Sequence, residues 1–361
     1  MNASPIVTGA YWGNGVALML TIRQEGSPLI EINGGSEIKA VTFTANGEYL
    51  VGGGEGLGVW RVKDGRQIAT MAARETVKCL AVSKDGRWIA AGTDSGEVFV
   101  WDAKTFQRVF SHWKDTDDIS GVDFSPDSRS PTRLLVASFN RTATVWDITT
   151  RQQELTLHHE DWVPVIAAKY SPQGDRIATA TRKSVRVWDS NDGRSLMDIR
   201  FPATLTPYHN TGFYWFNNHL FVVPGSTIKR LEASTRSTVS EWPVPDTNDS
   251  STSSCIALPQ HGEFITYSTN HTVTFWDTLT HSRVGEIQHT QDIRSLALSP
   301  DGRFLAIGAH GGKISIRSLS RSTVSIVFFW IMADVNKFLV GSSFQTGFNP
   351  VVSSTSHFPG T

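Results

Sequence analysis

The sequence predicts an all-β fold, a single closed propeller of four-stranded blades, and three observations carry that prediction. First, tryptophan or a substitute returns at a steady interval: Trp60, Trp101, Trp146, Trp188 and Trp276, with Leu231 and Arg317 filling the slot in degenerate copies. The steps are 41, 45, 42, 43, 45 and 41 residues, the period of a four-stranded blade. Second, tight-turn sequences keep the same phase: "TANG" at Thr44, "SKDG" at Ser83, "SPDS" at Ser125, "SPQG" at Ser171 and "SPDG" at Ser299. In such turns Pro presets φ, and Asp, Asn or Gly tolerates the bend. Third, the stretches between markers, such as "VKCLAVS", "WIAAGT" and "EVFVWD", alternate as half-buried strands do.

Each repeat is therefore read as strands a, b, c and d. The Trp closes strand c and is a large flat side chain suited to filling the gap between blades. The acid that follows it in four copies (Asp102, Asp147, Asp189 and Asp277) is expected to accept backbone hydrogen bonds in the next turn. Residues 38–317 supply seven a-b-c sets, and "PLIEI" (Pro28 to Ile32) is assigned as the missing strand d of the last set. Seven blades is the preferred count, with eight as the alternative. In that alternative, Ile6 to Ile22 gives strands b and c of a further repeat, and a C-terminal strand such as Asn336 to Phe344 completes it. Residues 1–22 then form a partial N-terminal repeat, 23–325 the propeller, and 326–361 a C-terminal segment read as a short helix followed by a disordered tail. The shortened first repeat raises a truncated gene product as an expectation. "GGGEG" (Gly52 to Gly56) is read as a b–c turn, because no helix follows it to make a phosphate site.

Composition narrows the function. The 361 residues carry 33 Lys+Arg against 34 Asp+Glu, a net charge of −1, which argues against a polyanion-binding surface and hence against nucleic acid as the main partner. Two cysteines, Cys79 and Cys255, write no disulfide framework and favour a reducing compartment. The longest apolar run, Ile326 to Met332, is far too short to span a bilayer. An intracellular protein is expected, cytoplasmic by preference with the nucleus as the other choice.

With the period, the turns and the Trp-Asp pairs in place, residues 6–325 resemble the WD-repeat family, and in particular fungal WD-repeat proteins that continue past the propeller into helical repeats. The resemblance implies a ring of blades around a channel. His112, His159 and His289 stand where the family has its Gly-His dipeptide, although Ser, His and Gln replace the Gly. Carried over residue by residue, the resemblance implies a buttress of His112, Ser138, Asn140 and Trp146, with Asn where the family prefers Asp.

No catalytic, cofactor-binding or metal-binding residue is assigned. His158 to Asp161 is a chemistry-rich run, but adjacent strand residues point to opposite faces and do not converge on a metal. The expected function is a non-enzymatic scaffold: a monomeric propeller within a complex, binding proteins on the face made by the d–a and b–c loops. Residues projecting there are expected to be Asp94, Asp118, Phe139, Asp161, Trp162, Arg182, Asp292 and His310. Trp162 stands out because no strand-c role accounts for it. A propeller enzyme of quinoprotein dehydrogenase or lactonase type is the alternative from another class, and a truncated paralogue with little function of its own is the third.

Overall fold

The computed structural model describes residues 7–13, 16–21, 29–126, 133–159, 163–201, 213–235, 237–244, 255–259, 262–319 and 321–324. The chain divides into a unit of residues 1–325 and a second of 326–361. The described residues all belong to the first. The expected C-terminal helix and tail and the strand at Asn336 to Phe344 lie outside the described residues.

A hairpin of β1 (Val7–Gly13) and β2 (Val16–Thr21) comes first, then β3 (Ile30–Asn33). One sheet holds the next six strands in chain order: β4 (Ala40–Phe43), β5 (Tyr49–Arg61), β6 (Gln67–Val82), β7 (Trp88–Thr93), β8 (Glu97–Asp102) and β9 (Arg108–Lys114). Four-stranded sheets follow, each an antiparallel meander. The first is β10 (Ile119–Phe124), β11 (Arg133–Ser138), β12 (Thr142–Asp147) and β13 (Gln153–His158). The second is β14 (Ala167–Tyr170), β15 (Arg176–Ala180), β16 (Ser184–Asp189) and β17 (Ser195–Arg200). The third is β18 (Phe213–Phe216), β19 (His219–Val222), β20 (Thr227–Glu232) and β21 (Ser237–Pro243). The fourth is β22 (Ile256–Ala257), β23 (Phe264–Thr269), β24 (Thr272–Asp277) and β25 (Arg283–Gln288). The fifth joins β26 (Ile293–Leu298), β27 (Phe304–Ala309) and β28 (Lys313–Ser318) to β3, whose Asn33 pairs with Lys313 and Ile30 with Ile316. Finally β29 (Arg321–Val324) pairs with β2 in a three-stranded sheet.

The all-β propeller architecture is present, but the count of seven or eight four-stranded blades is corrected: among the described residues, five sheets have four strands. The cause lies in β5 and β6. Their 13 and 16 residues are two to three times an ordinary strand, and they join what reads as two repeats into one six-stranded sheet. Gly52 to Gly56 is not a turn. It lies within β5, which absorbs Gly56 at φ 110° and a bulge between Glu55 and Leu57, geometry that a glycine run permits. The stretch "ARETV" inside β6 holds no Gly or Pro to end pairing, so Glu55 still faces Thr76.

The first strands of successive sheets pack on one another. β10 contacts β6 and β14, β14 meets β18, β18 meets β22, β22 meets β26, and β26 returns to β4. Except for one that lies within the six-stranded sheet, the apolar clusters bridge such neighbours. One joins Val98 and Val100 to Ile119, Leu134 and Val136, and the closing one joins Ile314, Ile316 and Ala306 to Val41, Leu50 and Trp60. The ring exists because a sheet with two apolar faces must be covered on both.

Candidate functional site

The turns at the two ends of the sheets are built differently. At one end the a–b turns use their own side chains. Ser83 Oγ donates to Asp85 Oδ1 (2.6 Å) and accepts from the Trp88 amide (2.9 Å). Ser299, Asp301 and Phe304 repeat this arrangement, and Ser171 with Asp175 and Arg176 varies it. The c–d turns lie at the same end. There Asp102, Asp147, Asp189 and Asp277 each accept backbone amides of the next turn at 2.6–3.0 Å. These residues are committed to folding.

The tryptophans are equally occupied. Trp60, Trp101 and Trp188 are buried, while Trp146 and Trp276 are half-buried. Among the described residues, the fullest buttress forms in the sheet that starts at β14. There Thr179 Oγ1 accepts from the Trp188 indole (2.7 Å) and bonds His159 Nε2 (2.8 Å), and the imidazole meets the indole edge-on at 5.7 Å. In the repeat expected to hold it, Trp146 donates to Thr144 Oγ1 (2.8 Å). Asn140 donates to Asp115 (2.6 Å), and Ser138 Oγ accepts from the Asn140 amide (3.2 Å). The His112 side chain lies outside the described residues.

At the other end, d–a and b–c loops are tied to one another. The Asp94 amide donates to Thr76 O (3.1 Å), Phe139 to Asp118 O (2.9 Å), and His310 to Asp292 O (2.9 Å). This end carries two mixed clusters. In the first, Lys78 on β6 pairs with Asp118, and its ammonium lies 5.4 Å from the Phe139 ring centre. Phe139 reaches across to pack on the core of the sheet that starts at β14. In the second, Glu37 takes Arg294 (3.0 Å) and His310 (2.8 Å), and Asp292 takes His271 (3.3 Å). Burial by itself would raise the Glu37 carboxyl. The hydrogen bond to His310 and the charges of Arg294 and Lys39 outweigh it, so the group ionises below its ordinary value of 4.5.

The structure thus brings Asp118 together with Phe139, and Asp292 with His310. Asp94, on the β7–β8 turn, is tied to Thr76 of β6, and Arg182 is exposed on the β15–β16 turn. Asp161 and Trp162 lie outside the described residues.

Sequence reasoning missed a third group. Asp123, Lys169 and Tyr214 hold corresponding registers of the first strands β10, β14 and β18, opposite Leu135, Ala178 and Phe221. Ala81, Ala257 and Ala297 occupy that register in other sheets. Asp123 Oδ1 lies 3.3 Å from Lys169 Nζ, and its Oδ2 accepts the Tyr170 amide (2.8 Å). For Lys169 burial works against the ammonium, but the Asp123 charge prevails and raises its pKa. The signal was present as three polar residues in one strand-a register, where three other copies have alanine and β4 has Thr42. Cys79 and Cys255 also share a register. Both are buried, and burial pushes both thiols up to about 12.

With this geometry in place, comparison with known proteins is informative. Residues 35–229 match the family model described as "Nucleolar protein 10-like, N-terminal domain", and residues 282–318 match "WD domain, G-beta repeat". WD repeat-containing protein 18 of Danio rerio is 21% identical over 298 residues, covering 76% of this chain and 68% of that protein. Periodic tryptophan protein 2 of Arabidopsis thaliana is 23% identical, with 77% and 26% covered. Pre-rRNA-processing protein IPI3 of Yarrowia lipolytica is 29% identical, with 37% and 32% covered. The chain therefore spans about two thirds of the first relative and a third or less of the other two. Among solved structures, a chain of the "Crystal Structure of Mitotic Checkpoint Complex" superposes with a TM-score of 0.69 at 16% identity, over 81% of this chain and 94% of that one. That likeness concerns the fold alone. The relatives are WD-repeat proteins, and none of those named here is an enzyme by name.

Proposed function

Because the chain belongs to the family of nucleolar protein 10-like N-terminal domains, we propose that it is a non-enzymatic scaffold that holds a protein partner on its d–a/b–c face within a nuclear, rRNA-processing assembly. One observation carries the choice of face. The Ser and Asp side chains that recur at the opposite end serve their own turns, whereas Lys78, Asp118 and Phe139 on this face combine a charge pair with a half-buried ring. Charge beside a partly buried aromatic is the composition of an interaction hot spot. The printed names of the relatives support a nuclear setting over the cytoplasm that the sequence favoured. The near-zero net charge is the reason a protein rather than RNA is proposed as the direct partner.

The test is a cross-linked pull-down from native cells, with and without ribonuclease, using the wild-type chain, Asp118→Lys and Trp162→Ala. We expect a ribonuclease-resistant set of proteins, depleted by either substitution. An unchanged set would refute this face, and loss of the whole set on ribonuclease treatment would refute a protein partner.

A further inference from the structure

The c–d turns hold one position in the left-handed backbone region. Two copies place glycine there, Gly65 and Gly193, both at φ 71°. Three place large side chains there instead: Phe106 at φ 57°, Arg151 at 62° and His281 at 57°. A bulky residue in that region is strained, so it persists only where its side chain repays the strain. His281 does so by stacking on Trp242 at 4.3 Å. Phe106 meets Tyr49 edge-on at 6.2 Å, but the two half-buried rings also line a concavity of about 580 Å³.

That concavity has small walls, Ala45, Gly86 and Ala103, and two carboxylates, Glu48 and Asp85, against one ammonium, Lys104. Glu48 Oε2 accepts from Asn46 (2.9 Å). On Asp85, Oδ1 alone takes both Ser83 and the Arg87 amide. Aromatic rings, small walls and a surplus of negative charge suit a planar guanidinium, which stacks on rings and pairs with carboxylates. We propose that this concavity, on the face opposite the Lys78 and Glu37 clusters, takes an arginine side chain from a peptide segment of a protein partner. It does not depend on which partner the other face holds.

The test uses the full chain with labelled aromatic rings, titrated with acetylated, amidated Ala-Ala-Arg-Ala-Ala and with the same peptide carrying Gln. The Arg peptide is expected to shift the Tyr49 and Phe106 ring resonances saturably, and the Gln peptide to leave them in place. Phe106→Gly restores the residue that two sister turns use, so the chain should fold and bind about tenfold more weakly. Glu48→Gln, a surface change, should weaken binding in the same direction. The proposal is overturned if both peptides shift the rings equally, if neither does, or if Phe106→Gly and Glu48→Gln bind like wild type. Displacement of the Arg peptide by added oligouridine with the same ring shifts would assign the pocket to RNA instead.

Discussion

At the scale of single residues, the clearest dependence is on Thr179. Its hydroxyl is fully buried and serves both the Trp188 indole and His159. Thr179→Val keeps the shape and removes the acceptor of the indole and the bond to His159 Nε2, so it should cost about 1–3 kcal/mol, read as a lowered midpoint in chemical denaturation. Thr144→Val removes the acceptor of the half-buried Trp146 and should cost clearly less, because water can replace a bond near the surface. Equal losses would mean that the Trp188 buttress has no special weight. Glu37 is the residue whose protonation matters. Its folded-state pKa lies below the ordinary 4.5, so its stabilising effect is complete above that value and is lost as pH falls through the folded one. Melting temperatures measured from about pH 7 to pH 3 should therefore fall less steeply for Glu37→Gln than for wild type; parallel curves would count against this cluster.

At the scale of elements, legibility follows chemistry. Turns were readable because Ser83, Asp85, Asp102 and Asp277 do local work with side chains whose preferences are known. The pairing of β3 with β28 was readable because one repeat lacked a strand and "PLIEI" offered one. The merging of β5 and β6 was not readable. Glycine in Gly52 to Gly56 marks a turn or a bulge with equal force, and only the register decides. The polar trio of Asp123, Lys169 and Tyr214 escaped for another reason. Each lies in a different repeat, and only the packing of successive sheets brings them near one another. The buttress around Trp188 was not singled out because Thr179 stands where the resemblance led to a search for Ser, as at 138.

At the scale of the whole molecule, closure rests on one short strand. Removing residues 1–33 takes β3 away from Ile314 and Ile316 and strips the closing cluster of Ile32. The exposed edge of β28 becomes a template for another chain. We expect the shortened chain to self-associate on size-exclusion chromatography and to lose a single cooperative unfolding transition. A monomer with wild-type unfolding would show that the neighbouring sheets hold the ring without it.

The β3–β28 pair also sets a timetable. Its two halves lie about 280 residues apart in the chain, and at 5–20 residues per second a ribosome needs about a quarter of a minute to a minute to make the second after the first. During that interval sheets can form one after another as they emerge, each resting on the one before. The strand made near the beginning has no partner until nearly all of them exist. Vectorial synthesis thus delivers an almost complete arc whose final act is the capture of one of its own earliest segments, and that late step is where a nascent chain of this kind is open to a chaperone.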